Sequence, residues 1–207
     1  MSVTFPLMAW LAIVIGISII MSLLRGGRFL NLSEIQLRAW PLLILGFGMQ
    51  LAADLLPNDR SWSHNTAVTI IILSFVPLLF LVWLNRQEAG MWLAGIGVFM
   101  NFTVIAINGG MPVLPGAATI GLGRDITALD FDALPKHVLL DGSTRLAFLG
   151  DVIPVRIIRN VISLGDVFLA IGLGVFVEDQ MRRPVRWFKH GLNVTGSGSA
   201  RRPPDAA

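Results

Sequence analysis

The sequence predicts an all-α fold, a polytopic membrane helix bundle of about five transmembrane helices with a structured outer segment between the fourth and fifth. Three observations carry that expectation. Of 207 residues, 54% are hydrophobic and only 14% charged, where a soluble domain carries roughly a quarter charged residues. Mean hydropathy is +0.71. Five apolar runs approach or reach the roughly 20 residues that a membrane-crossing helix needs. This composition excludes a soluble enzyme, a disordered chain and a disulfide-stapled module. The chain has no cysteine, which removes thiolate metal sites and cysteine nucleophiles as well.

The first run, residues 3–24, is uncharged over 22 residues. A secretory signal has a basic residue before a shorter apolar stretch and a small-x-small cleavage site after it. Neither is present, so the run is read as a retained span. The second run is 39–56, with Pro41 in its first turn, where a missing N–H costs little. The third, 66–84, contains Pro77, a kink that is tolerated when neighbouring groups satisfy the freed carbonyl. The fourth, 91–107, and the fifth, 161–177, each hold 17 residues, the lower limit for spanning. The start of the fifth is the least fixed, anywhere between Val155 and Asp166.

Orientation follows from Lys and Arg in short loops. Arg25, Arg28 and Arg38 follow the first run, Arg60 beside Asp59 the second, and Arg86 with Glu88 the third. Arg182, Arg183, Arg186, Lys189, Arg201 and Arg202 follow the fifth. The expected topology is amino terminus outside and carboxyl terminus cytoplasmic, in the cell inner (plasma) membrane. Arg124, Lys136, Arg145, Arg156 and Arg159 run against it, but long loops weigh less. The net charge of +3 thus collects at membrane exits, where anionic headgroups attract it. The expected partners are the lipid bilayer and a second copy or another membrane protein, and no nucleic acid. Trp40, Trp62, Trp83 and Trp92 lie near span boundaries, with Trp187 and Phe188 as a further interfacial anchor. Residues 1–183 form the integral domain. Residues 184–207 are a basic, partly disordered cytoplasmic tail, where Asn193-Val194-Thr195 carries no meaning as a glycosylation acceptor.

The outer segment, 108–160, is too long for a simple connection and too apolar for disorder. It opens Asn108-Gly109-Gly110-Met111-Pro112-Val113. The glycines permit positive φ and Pro112 holds Met111 extended, so a rigid turn should end the fourth helix. Together with Asn101, the stretch Val104-Ile105-Ala106-Ile107 runs into that turn. His137, Thr144-Arg145-Leu146-Ala147-Phe148-Leu149-Gly150-Asp151-Val152-Ile153-Pro154 and Ile162-Ser163-Leu164-Gly165-Asp166-Val167 follow. In combination these stretches resemble the bacterial membrane family known as domain of unknown function 5317. The resemblance reaches to about Arg183 and is sharpest from Asn101 to Gly174. It implies a small polytopic bacterial membrane protein and lends no activity.

Polar groups within spans are costly and face a protein interior or a water-filled cavity. Gln50 and Asp54 are four residues apart, on one face near the outer end of the second helix. Asn101 and Asn108 share a face of the fourth, about 10 Å apart along its axis, and Asp166 lies about 7 Å into the fifth. All fall in the outer half of the bilayer, which predicts one shared outward-facing pocket. The candidate ligand-pocket residues are Asn101, Asn108, Gly109, Gly110, His137, Arg145, Asp151 and Asp166. Leu149-Gly150-Asp151-Val152 and Leu164-Gly165-Asp166-Val167 repeat a pattern in which the aspartate caps a helix. The sharper reading pairs a buried Asp166 with Arg145 as a proton, ion or substrate site.

Other chemistry is poorly supported. His137 with Asp151 and Asp166 lacks the clustered histidines of a metal site, since His64 and His190 lie on other loops; no metal and no cofactor is expected. Ser143, Thr144 and Ser163 carry no activated-serine signature, and the double glycine lacks the Gly-Lys-Ser/Thr ending of a phosphate loop. Gly46, Gly48, Gly95, Gly97, Gly172 and the pair Ala170 and Gly174 read as helix contacts. The leading expectation is a binding or accessory protein. The rivals are an outer-leaflet enzyme with His137 or an aspartate as general base, and a small transporter, for which no inverted repeat is visible.

Overall fold

The computed structural model describes residues 6–35, 37–56, 62–123 and 136–183. The expected tail 184–207, with its basic residues and its Asn193 pattern, lies outside the described residues, as do Arg60 and Arg124. Five long helices follow the five apolar runs: α1 (Pro6–Leu24), α2 (Pro41–Asp54), α3 (Ser63–Leu84), α4 (Met91–Asn108) and, after a short α5 (Pro115–Leu122), α6 (Leu164–Arg182). Among the described residues, α3 and α4 are long and apolar enough to cross a membrane by length and composition. At 14 residues, α2 extends only about 21 Å.

Local chemistry sets the helix ends. Pro41 opens α2, where its missing N–H is not needed. Pro77 sits inside α3 and leaves the Leu73 carbonyl without its helical donor. Gly109 closes α4 at φ 71°, its N–H 2.9 Å from the Ile105 carbonyl, a left-handed cap that glycine adopts without strain. The expected turn after the fourth helix is therefore present.

Packing between helices depends on small residues. A Cβ on Gly97 would run into the Gly165 carbonyl and the Leu169 nitrogen, and one on Gly172 into the Ala94 nitrogen. α4 and α6 thus touch backbone to backbone, in antiparallel sense. Gly46 fits against Ser74 and Leu78, Gly95 against Val82, and Gly174 against Ser18; Gly48 meets nothing. α1 runs parallel to α6, since Trp10 Nε1 donates to the Asp166 carbonyl and Ser22 Oγ to that of Glu178, both at 3.5 Å.

The outward faces are apolar. Ile13, Ile17, Ile20 and Leu24 form an exposed stripe on α1, Leu73, Val76, Phe80 and Trp83 on α3, and Trp92, Ile96, Phe99 and Ile107 on α4. Spacings of three, four and, between Phe99 and Ile107, eight residues put each set on one helix face. Buried positions include polar ones: Ser22, Gln50, Ser74, Asn101, Asp166 and Gln180.

The outer segment corrects the all-α expectation. It carries four strands, β1 (Met111–Val113), β2 (His137–Leu139), β3 (Asp151–Val155) and β4 (Asn160–Ser163), in the order β2-β1-β3-β4. β1 is parallel to β2 and β3, and β3 is antiparallel to β4. Strands of three to five residues draw stability from partners distant in the chain, which a local apolar run does not specify. The expected fifth span is shifted for the same reason: residues 161–163 belong to β4, and the helix runs from Leu164 to Arg182.

The sheet lies at the end of the bundle where α4 stops and α6 starts. At the opposite end, Arg183 bonds Glu88 and Asp179 at 2.6 Å each, and Arg25 bonds Glu178 at 2.7 Å. Asn85, at the end of α3, accepts from the Arg38 N–H at 2.8 Å and donates to its carbonyl at 2.9 Å.

Candidate functional site

Two polar groupings occupy the junction between the sheet and the helix ends. The first is a ring of three buried side chains. Ser163 caps α6: its Oγ accepts from the Asp166 N–H at 2.9 Å, while its own N–H donates to Asp166 Oδ2 at 3.1 Å. From α4, Asn101 Nδ2 donates to Asp166 Oδ1 at 2.7 Å, and Asn101 Oδ1 accepts from Ser163 Oγ at 2.9 Å. Every side-chain oxygen and nitrogen of the three residues finds a partner within the ring. This is a capping box locked by a residue from the neighbouring helix.

The ring corrects two expectations. Ser163 is the cap and Asp166 stands three residues inside it, so the aspartate assists the cap and is not itself the cap. Asp166 takes Asn101 as its side-chain partner, and among the described residues no ion pair joins it to Arg145. Asp151, expected to cap a short helix, opens strand β3.

The second grouping has unused valences. His137 opens β2 opposite Met111, and Asp151 pairs with Val113 on the other side of β1. Paired positions share a sheet face, so the two side chains reach toward each other across β1, with His137 Nε2 3.7 Å from Asp151 Oδ2. The β3–β4 register shifts between Asp151 and Ile153, a bulge that re-aims the side chain beside it. Asp151 is 7% exposed. Burial pushes its carboxyl well above the usual range, the Asp166 carboxylate adds to the rise, and Lys136 opposes it. Burial likewise pushes the His137 imidazole down to about 4, helped by the Lys136 cation. Both shifts favour the neutral forms.

Among the described residues, Asp151 Oδ1 and His137 Nδ1 are buried without a hydrogen-bond partner. Each such atom costs about 1–3 kcal/mol, and a buried polar atom without a partner calls for an explanation. Lys136 Nζ donates to Gln50 Oε1 at 3.3 Å and so ties this part of the sheet to α2. Gln50 is buried and Asp54 exposed, so the face they share in sequence is not shared in environment.

Asn108 does a third job. Its Nδ2 donates to the carbonyls of Val104 and Arg145, at 2.8 and 2.9 Å, and its Oδ1 accepts from the Arg145 N–H at 2.9 Å. The Arg145 side chain is exposed. Gly109 and Gly110 shape the turn, and Gly110 is buried beneath Val138. The structure therefore brings Asn101 to Asp166, His137 to Asp151, and Asn108 to the Arg145 backbone, as three separate contacts. An open depression of about 500 Å³, lined by Ile35, Leu37, Arg38 and Trp40, shares no residue with them. Among the described residues, no three His, Asp or Glu side chains are arranged to hold a metal ion.

Sequence reasoning missed Lys136 as a member of the site, although its position next to His137 was a usable signal. It also passed over the Ser-x-x-Asp spacing of Ser163 and Asp166, which is a helix-start pattern.

The comparisons with known proteins place the chain without adding chemistry. The model of a family described as "Family of unknown function (DUF5317)" matches residues 34–178. An uncharacterized protein of Thermotoga maritima is 37% identical over 112 residues, 52% of this chain and 61% of that relative. The chain thus spans under two thirds of the relative's length. No solved structure matches. The family match takes in the whole sheet, α2, α3 and α4, and most of α6, and the chain belongs to this family of unknown function.

Proposed function

We propose that this chain is an integral membrane protein of five crossings, amino terminus outside, that binds a small polar ligand at its outward-facing end. Membrane residence is supported by the exposed apolar stripes on α1, α3 and α4 set against buried serine, asparagine, glutamine and aspartate. A soluble fold would reverse that distribution. The alternating helix directions suit an odd number of crossings. Arg25, Arg28, Arg38, Arg86, Arg182 and Arg183 sit toward the end away from the sheet, as expected for a cytoplasmic face. α2 is short for a crossing and implies local thinning of the bilayer.

The observation that carries the binding role is the pair of buried, unpartnered atoms on His137 and Asp151. With both groups neutral and Nε2 carrying its proton toward Asp151 Oδ2, the imidazole Nδ1 is an acceptor and the carboxyl proton falls on Asp151 Oδ1, which donates. The complementary ligand offers both a donor and an acceptor, as a polyol hydroxyl does. The Asn101–Ser163–Asp166 ring, already satisfied, is the rigid floor beneath it.

Thermal-shift titration of the nanodisc-embedded protein against small amines, amino acids, polyols and glycerol phosphate tests this. At least one compound should raise Tm for the wild type and not for His137→Gln or Asp151→Asn. A panel that leaves the folded wild type unmoved overturns the reading. A reporter fused after Arg183 should be active only in the cytoplasm; activity on the outer side would overturn the topology. The His137–Asp151 approach also suits a general base in an outer-leaflet enzyme, and turnover of a headgroup ester that is lost in His137→Gln would favour that second reading. Proton flux in reconstituted vesicles would favour a transporter.

A further inference from the structure

The β3–β4 hairpin carries a feature that neither the ring nor the His137–Asp151 pair explains. Its tip is a 3-10 turn, Arg156–Ile158, followed by Arg159. Ile157 is 93% exposed, more than any other large apolar residue described in the chain. Arg156 and Arg159 flank it, both exposed. Arg159 holds φ 49°, the left-handed region that a side chain with a Cβ enters only at a cost. A turn that accepts strain to present a bare isoleucine between two arginines is poorly suited to water, and strain of this kind gathers at functional segments.

Position narrows what covers the tip. Both β4 and the turn pack against α1, so the hairpin lies along α1 and does not stand away from the bundle. β4 leads directly into α6, whose first turn meets Trp10. The tip therefore sits beside the first turns of α1, at the level where helices enter the membrane in the five-crossing reading. On α1 the exposed stripe from Ile13 to Leu24 continues away from that level. Guanidinium groups pair with phosphate in bidentate fashion, and an apolar side chain between two of them matches the boundary between headgroups and acyl chains.

We infer that the Arg156–Arg159 turn is a lipid-binding wedge: Ile157 enters the outer leaflet beside α1, and Arg156 and Arg159 hold headgroup phosphates. The inference rests on the membrane reading given above. It identifies a second contact with the bilayer, made by the sheet domain as distinct from the helices, which would fix the height of the His137–Asp151 site above the lipid surface.

The absence of native cysteine allows a clean test, since one introduced cysteine is the only labelling site. Nitroxide labels at Ile157→Cys, Phe99→Cys and Gly142→Cys are compared in vesicles of phosphatidylcholine with phosphatidylglycerol. Collisions with oxygen and with a water-soluble nickel complex then report depth. Phe99 serves as the lipid-facing reference and Gly142 as the aqueous one. At Ile157 the nickel collision rate should fall several-fold below that at Gly142. Adding Arg156→Glu and Arg159→Glu should restore the aqueous value. A label at Ile157 that matches Gly142, while Phe99 reads as deep, overturns the wedge and leaves the membrane reading standing. Nickel access at Phe99 equal to that at Gly142 overturns the membrane reading itself. Dipolar broadening between Ile157 labels on two copies overturns the wedge in favour of a dimer contact.

Discussion

Asn108 grips the backbone of Arg145 at both ends, accepting from its N–H and donating to its carbonyl at 2.9 Å each. The side chain behaves like a short length of strand, paired with a residue 37 positions away. Asn85 holds Arg38 in the same way, and each asparagine also donates to the carbonyl four residues before it in its own helix, Leu81 or Val104, at 2.8 Å. The same device thus fastens a loop at both ends of the bundle.

Asn108→Ala should remove the anchor that precedes Leu146, which holds φ 54°. Two hydrogen bonds at an exposed site are worth about 1–2 kcal/mol. Amide exchange of residues 145–149 should accelerate while α4 stays protected. Unchanged exchange there would show that the strand and 3-10 contacts hold the loop without the clamp.

Asn101→Leu should cost more stability than Asp166→Asn. The leucine leaves Asp166 Oδ1 buried and unpaired, a loss of about 2–3 kcal/mol. In Asp166→Asn, a flip of the Asn101 amide turns its oxygen toward the new amide, and the Ser163 hydroxyl can rotate to match; about 1 kcal/mol is expected. Thermal melts in one detergent rank the pair, and the reverse order would mean that the charge of Asp166, not its hydrogen bonding, maintains the ring.

A methyl group separates two kinds of glycine. Gly97→Ala drives a Cβ into the α6 backbone and should lower stability by about 2–3 kcal/mol. Gly48→Ala meets nothing and should be neutral or stabilising by up to about 1 kcal/mol. Comparable Tm values for the two variants would refute the close α4–α6 contact.

The pH dependence should show two opposed contributions. The folded-state pKa of His137 lies at about 4, below its ordinary 6.5. The unfolded chain therefore binds a proton that the folded chain refuses, and stability falls as pH drops from about 6.5 toward 4. His137→Gln should remove about 2 kcal/mol of that loss, after allowance for partial exposure. The carboxyl of Asp151 is raised, so its contribution runs the other way, with stability falling as pH rises above the ordinary carboxylate range. Asp151→Asn should therefore be more stable than the wild type at pH 8. A variant less stable there would assign Asp151 a structural role.

The helices were legible because twenty apolar residues leave few alternatives, and Pro41 and Gly109 mark boundaries by their own stereochemistry. The sheet was not. Met111–Val113 and Asn160–Ser163 are three and four residues long, and such runs become strands only when β3 arrives from elsewhere in the chain. The Asn101–Asp166 contact lay within the predicted polar set, because both residues are polar where the pattern calls for apolar ones. The His137–Asp151 contact depended on both strands flanking β1, a relation that residue spacing does not encode. Lys136 was masked by its charge, which counted toward topology and so was not read as part of a site.

The glycine contact between α4 and α6 has a mechanical consequence. Two helices whose main chains touch have no cushion of side chains to shear through, so they move as one plank, and the Asn101–Ser163–Asp166 ring is nailed across the seam. β1, β3 and β4 rest on these two helices, so the sheet is carried on a base that does not yield.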